Sequence, residues 1–191
     1  IESFISIDGF SCSANKVTKL DLSKNKKLTH LNCSANKIYD LNLSKNKKLT
    51  HLNCSENKIT NLDTKKFKYM TYLNCFGNNI RYLGLSKNEN LTYLNCSDNS
   101  FDKLSIFNSG NLRFLDCSSR KIKLLDIAYT SLDSLNLSEC INLRELYVEF
   151  NRNLTKLELP KQLKTLEIKS NIAIRTIDLS NQKKLETFKS L

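Results

Sequence analysis

A chain of 191 residues with 40 % hydrophobic and 26 % charged content can bury a sizeable core and has the composition of a soluble globular domain, expected here as one domain spanning 1–191. No run approaches the ~18 consecutive apolar residues of a membrane-spanning helix, so no membrane insertion is expected of this segment, and four glycines with one proline leave no low-complexity linker to divide it. The formal charge of +11 would suit a polyanionic partner only if the lysines gather on one accessible surface.

The chain begins at Ile1 rather than at a methionine, and Ile1 with Phe4 reads as the tail of an earlier repeat. From there Cys12, Cys33, Cys54, Cys75, Cys96 and Cys117 follow one another at 21-residue intervals without a slip. Around each the phrase is L-x-x-L-x-C-x-x-N-x-I, as in Leu28, Leu31, Cys33, Asn36 and Ile38. The remainder of each period carries a similar phrase, with Leu41, Leu43 and Asn46 or Leu83, Leu85 and Asn88, so each coil is two half-coils. Beyond Cys117 the apolar pair persists at Leu135/Leu137, Leu146/Val148, Leu157/Leu159, Leu166/Ile168 and Ile177/Leu179, while the cysteine is lost and acids such as Glu139, Glu145, Glu149 and Glu158 appear. Leu191 arrives before its half-coil is complete, so a longer parent, truncated at one or both ends, is expected.

One coil cannot bury its own apolar side; neighbours must stack and share a continuous core. Two apolar residues separated by one polar residue read as a short strand with alternate side chains inward. Nine such coils predict a nearly straight solenoid, roughly 40 Å long at about 4.8 Å per coil, with a parallel β-ladder on the cysteine side, a second short-strand or turn side opposite, and few or no helices.

L-x-x-L-x-C-x-x-N-x-I, carried by nearly the whole chain, is the leucine-rich repeat signature with cysteine in a leucine position. The 21-residue period with that cysteine resembles the cysteine-ladder type within the internalin group of bacterial surface proteins. The resemblance implies a right-handed solenoid, ligand binding on the cysteine-side sheet, and an extracellular or cell-surface bacterial location. The helical N-terminal cap and immunoglobulin-like C-terminal module of that group are not recognisable in these residues.

In-register parallel strands keep neighbouring Cβ atoms nearer 5 Å than the ~4 Å a disulfide needs, and cysteines strung along an axis do not converge on zinc. The six thiols therefore read as small core hydrophobes, with Cys140 in the asparagine position of its half-coil. Asn15, Asn36, Asn57, Asn78 and Asn99 fall where the chain leaves the strand and read as partners for backbone groups in the bend. Asn32, Asn53, Asn74 and Asn95 point outward and are expected to bond along their own ladder. They also create N-x-S sequons, such as Asn32-Cys33-Ser34, whose glycans would crowd the sheet; this favours a bacterial source.

The outward column beside the cysteines reads Gly9, His30, His51, Tyr72, Tyr93, Phe114 and Ser134, with Phe76 on the same face as Tyr72. Exposed rings give large contact area at low entropy cost, so His30, His51, Tyr72, Phe76, Tyr93, Phe114 and the adjoining Asp116 are the candidate ligand-binding residues. The alternative is cross-strand stacking that only stabilises the ladder. Two histidines without a third ligand make a poor metal site, and no metal or other cofactor is expected. Lysine columns Lys24/Lys45/Lys66/Lys87, Lys26/Lys47/Lys68 and Lys16/Lys37/Lys58 lie on the turns, where they read as a solvated edge without interleaved aromatics.

Nothing here pairs a nucleophile with a base, cradles a phosphate or converges two carboxylates, so no catalytic residues are expected and the chain reads as non-enzymatic. The expected role is a monomeric, adhesin-like module binding another protein, with a glycan as the second choice of partner and nucleic acid not expected. The rival readings are a structural spacer or polyanion-binding surface acting through the lysine columns, and the targeting domain of a larger enzyme.

Overall fold

The computed structural model describes residues 7–190; the readings placed on Ile1, Phe4 and Leu191 lie outside the described residues. It is a parallel β-solenoid of about nine turns with no helix among the described residues. On the cysteine side, β1 (Gly9–Ser11), β2 (His30–Asn32), β3 (His51–Asn53), β4 (Tyr72–Asn74) and β5 (Tyr93–Asn95) pair in parallel, followed by β7 (Phe114–Asp116). Each coil places its leucine against the leucine of the next, Leu31 on Leu52 and Leu52 on Leu73. These leucines and Cys33, Cys54, Cys75, Cys96 and Cys117 are buried in one continuous core, with Cys12 half-buried at its edge, and all seven cysteines are free thiols.

The asparagines after the cysteines bond backbone groups in the bend as expected, and from Asn36 to Asn99 they also bridge one coil to the next. Asn57 donates through Nδ2 to the carbonyls of Cys33 (2.9 Å), Cys54 (3.2 Å) and Ser55 (3.0 Å), and its Oδ1 accepts from Ile38 N of the preceding coil (2.9 Å). Asn36, Asn78 and Asn99 repeat the arrangement. The outward asparagines differ from expectation. Their Oδ1 atoms accept from the residue two positions on in the same coil, Asn32 from Ser34 N and Oγ and Asn74 from Phe76 N, because the bend brings those donors closer than the neighbouring strand does.

Between each cysteine and its asparagine the chain turns through the left-handed region: Ala14, Ala35, Glu56, Gly77 and Asp98 have φ between 49° and 63°. Gly77 is the cheapest occupant of that conformation. A Cβ built there meets only ordinary contacts at 3.7 Å on Glu56. Gly77→Ala is therefore expected to lower stability by about 1 kcal/mol, the conformational cost alone, read as a reduced urea midpoint.

The second side, expected as short strands or turns, carries the longer strands in the later coils. From the fifth coil, the opposite half-coils form a second parallel sheet of longer strands: β6 (Lys103–Phe107), β8 (Leu124–Ala128), β10 (Glu145–Glu149), β12 (Thr165–Lys169) and β13 (Thr187–Ser190). On the cysteine side only the pair β9 (Ser134–Asn136) and β11 (Lys156–Glu158) follows β7. The turn chemistry moves with the sheet. Positive φ passes to Asn108, Tyr129, Phe150 and Ser170, and the buried polar residues become Ser109, Thr130, Asn151 and Asn171. Asn151 Oδ1 accepts from Thr130 N at 3.0 Å and Asn171 Oδ1 from Asn151 N at 2.9 Å, the same coil-to-coil bridge on the other side of the stack.

Candidate binding face

Parallel in-register pairing projects every side chain at one strand position into a column about 4.8 Å apart. His30, His51, Tyr72, Tyr93 and Phe114 are such partners in consecutive strands. Their rings stack: His30 on His51 at 4.4 Å between centroids, His51 on Tyr72 at 5.9 Å, Tyr72 on Tyr93 at 4.5 Å and Tyr93 on Phe114 at 4.4 Å, with interplanar angles of 3° to 17°. Each stacked pair contributes ~0.2 to 1 kcal/mol to the ladder. The outer faces of the column remain accessible, with Phe114 at its end 44 % exposed.

The two histidines are oriented by the threonines before them. Thr29 Oγ1 donates to Asp8 O (2.9 Å) and Thr50 Oγ1 to Thr29 O (3.1 Å), which uses each hydroxyl proton. The imidazole Nδ1 atoms, at 2.8 and 2.9 Å from those hydroxyls, must then donate to them. In the neutral rings this leaves each Nε2 as an acceptor. Partial burial, followed by the neighbouring His30, holds the His51 pKa below its usual value, so neutral His51 is favoured at neutral pH. Burial and Tyr72 push the Tyr93 phenol in the opposite direction, also toward the uncharged form.

The other two candidates stand beside the stack. Phe76 occupies the half-buried turn position taken by Ser34, Ser55 and Ser97 in other coils. Asp116 is the register partner of Asn95, and its Oδ1 accepts from Ser118 N at 3.0 Å, so it closes a turn as the outward asparagines do. The face is thus a strip of rings bordered by short polar side chains.

Sequence reasoning missed a second aromatic group on the opposite side. Tyr129 and Phe150 stack at 4.7 Å in left-handed turn positions, and Phe107 at the end of β6 is 39 % exposed. The signal was present in the alternating runs KLSIF, LLDIA, ELYVE and TLEIK, which are five residues long where the cysteine-side strands have three. A correction also applies to the lysine columns: Tyr39 lies under Lys58 at 5.2 Å and Tyr69 under Lys68 at 4.7 Å, so aromatics do interleave with them. Those rings come from other sequence positions of the coil, which the column count did not align.

Stacked two-part coils, a buried amide bridging each coil to the next, and parallel ladders without helices make this a leucine-rich repeat solenoid. Among solved structures, it is similar to the functional domain of InlJ from Listeria monocytogenes, which includes a cysteine ladder. The identity is 28 %, over 96 % of this chain and 53 % of that one, with a TM-score of 0.51. Its fold is also that of the internalin InlF from Listeria monocytogenes (17 % identity, 98 % of this chain and 76 % of that one, TM-score 0.60). YopM from Yersinia enterocolitica shares the fold as well (22 % identity, 98 % and 42 %, TM-score 0.52). This chain spans about half the length of the InlJ domain. No protein-family model matches the chain, and no curated protein sequence does. No helix among the described residues is long and apolar enough to cross a membrane.

Proposed function

We propose that this solenoid is a non-enzymatic, monomeric protein-binding module of an exported bacterial protein, and that its ligand lies across the ring column of the cysteine-side sheet. The observation that carries the reading is the five-ring stack from His30 to Phe114, preordered by strand pairing and open on its outer face. A partner meeting it loses little side-chain entropy, which is what makes aromatic residues effective anchors. The likeness to InlJ, at 28 % identity and including the cysteine ladder, supports an exported bacterial setting and an adhesin-like role.

The test is a screen of the purified chain against an array of extracellular protein domains, repeated with Tyr72→Ser, Tyr93→Ser and Phe114→Ser combined. Binding found for the unmodified chain should fall roughly 100-fold or more, as expected when two or more anchors of at least 1 to 2 kcal/mol are removed, and should change little with salt. Unfolding by urea should show the variant still stacked. Partners that bind both forms equally would place the interface elsewhere and refute the reading.

A further inference from the structure

The start of the second sheet at the fifth coil leaves a cleft on the side opposite the cysteines. Up to the fourth coil that side is bare chain, Leu83 to Ser86 being its last segment, and from β6 onward it is sheet. A cavity of about 860 Å³ lies at the junction, bordered by these residues, by Lys103, Ser105 and Phe107 of β6, and by the turns around Arg120 and Asn142. Gly84 holds the outward position that Ser105 and Asp126 hold in the next two coils. A Cβ there would stand 3.2 Å from the Tyr82 ring, so the ring crosses the space a side chain would fill and forms one wall.

The charge of this cleft is one-sided. Arg81, Lys103, Arg120, Lys121 and Lys123 border it against a single carboxylate, Asp102. Lys123 pairs with Asp102 at 3.2 Å and Lys121 donates to Ser100 Oγ at 3.0 Å. Arg81, Lys103 and Arg120 have no carboxylate within 4.0 Å among the described residues. Lys103 feels the Asp126 carboxylate at longer range, but three cations bordering one concavity and outside any salt bridge attract an anion, and an arginine fork fits the paired oxygens of sulfate or carboxylate.

We propose that the cleft binds an acidic oligosaccharide, a short glycan carrying sulfate or carboxylate groups. Its volume lies in the ~300 to 1,000 Å³ range of sites that enclose a small ligand. Ser86, Ser100, Ser105 and Asn142 supply neutral donors and acceptors to sugar hydroxyls, and Asp102 is an acceptor that a sugar hydroxyl can use. Tyr82 and Phe107, 65 % and 39 % exposed, offer apolar contact to sugar ring faces. A single nucleic-acid strand fits less well: base stacking needs successive open ring faces, whereas Tyr82 lies against Gly84.

The test is calorimetric titration of the intact chain with a heparin-derived hexasaccharide, with maltohexaose as neutral probe and an oligothymidylate and hexaglutamate as other anions. The sulfated hexasaccharide should bind best and maltohexaose weakly. Combined Arg81→Ser, Lys103→Ser and Arg120→Ser should weaken it roughly 30-fold, at about three-fold per exposed ion pair, and reduce the salt slope by about three. Combined Lys24→Ser, Lys26→Ser and Lys47→Ser removes the same charge from the first two coils and should change affinity by less than about three-fold, since exposed charges beyond a Debye length are screened. Equal losses in the two variants, tighter binding of either other anion, or no binding of the sulfated hexasaccharide would overturn the proposal. The serine variant of Tyr72, Tyr93 and Phe114 should keep full glycan affinity, so this site and the ring column stand or fall separately.

Discussion

Raising the pH above about 9 is expected to unfold this solenoid, with most of its stability gone near pH 10 to 11. Cys33, Cys54, Cys75 and Cys96 are buried in the core, and burial first, aided at Cys33, Cys54 and Cys96 by neighbouring ladder thiols, pushes their pKa values up, to about 12 for Cys33 and Cys75. The sign follows from proton binding. Between pH 9 and 12 the unfolded chain releases these protons while the folded chain keeps them, so stability present in full below pH 9 is lost as pH rises. Each such thiol costs about 1.4 kcal/mol per pH unit in that window. Four together reach about 6 kcal/mol by pH 10, comparable to the ~5 to 15 kcal/mol stability of an ordinary domain. Far-UV circular dichroism with urea at a series of pH values measures this directly. The variant with all four changed to alanine should be weaker at pH 7 but much flatter between pH 9 and 10.5; an unchanged slope would show that other groups drive the alkaline transition.

Asn57→Ala is expected to cost about 3 kcal/mol or more, while Asn53→Ala, four residues away, costs less than about 1. The two asparagines differ in what their bonds connect. Asn57 is buried and ties together three carbonyls and the Ile38 amide, across two coils. The carbonyls of Cys33, Cys54 and Ser55 each retain a second donor, from Asn36 Nδ2, Asn78 Nδ2 and Ala35 N. The Ile38 amide would be left with none, which is the costly part of the change. Asn53 Oδ1 accepts only from Ser55 N and Oγ in its own half-buried turn, where water can replace it. Urea titrations of the two variants should separate their midpoints by a wide margin. Comparable losses would mean that the bridge contributes no more than a local turn.

Much of the fold was legible because a solenoid turns sequence period into spatial column. Once Cys33 and Cys54 are known to stack, His30 must lie beside His51 and Tyr72 beside Tyr93, and ring centroids 4.4 to 5.9 Å apart follow from the strand spacing. The burial of the thiols and the pairing of Asn36, Asn57, Asn78 and Asn99 with backbone groups in the bend were equally accessible, because a repeated amide at a bend has few other uses; that the same amides also bridge coils was not. For Phe76 and Asp116, counting positions did not distinguish the ring column itself from the turn residues beside it.

Three matters required the tertiary structure. Both half-coils carry the same apolar pair, Leu31/Cys33 and Leu41/Leu43, so periodicity alone does not decide which half pairs into a sheet. That choice depends on backbone hydrogen bonds to the next coil and on where the left-handed turn falls, and it changes between Asp98 and Asn108. Lys58 meets Tyr39 of the preceding coil, while Lys68 folds back over the adjoining Tyr69, so both contacts depend on how the turns fold over the surface. The basic cleft gathers Arg81, Lys103 and Arg120 around the missing side chain of Gly84. Residues of one column are neighbours by repetition and can be read from the chain, whereas residues of different columns become neighbours only through the path of the turns. For this protein the sequence by itself therefore determined the coil, its core and the ring stack. The second sheet on the opposite side, and the cleft where it begins, were decided by hydrogen bonding between coils.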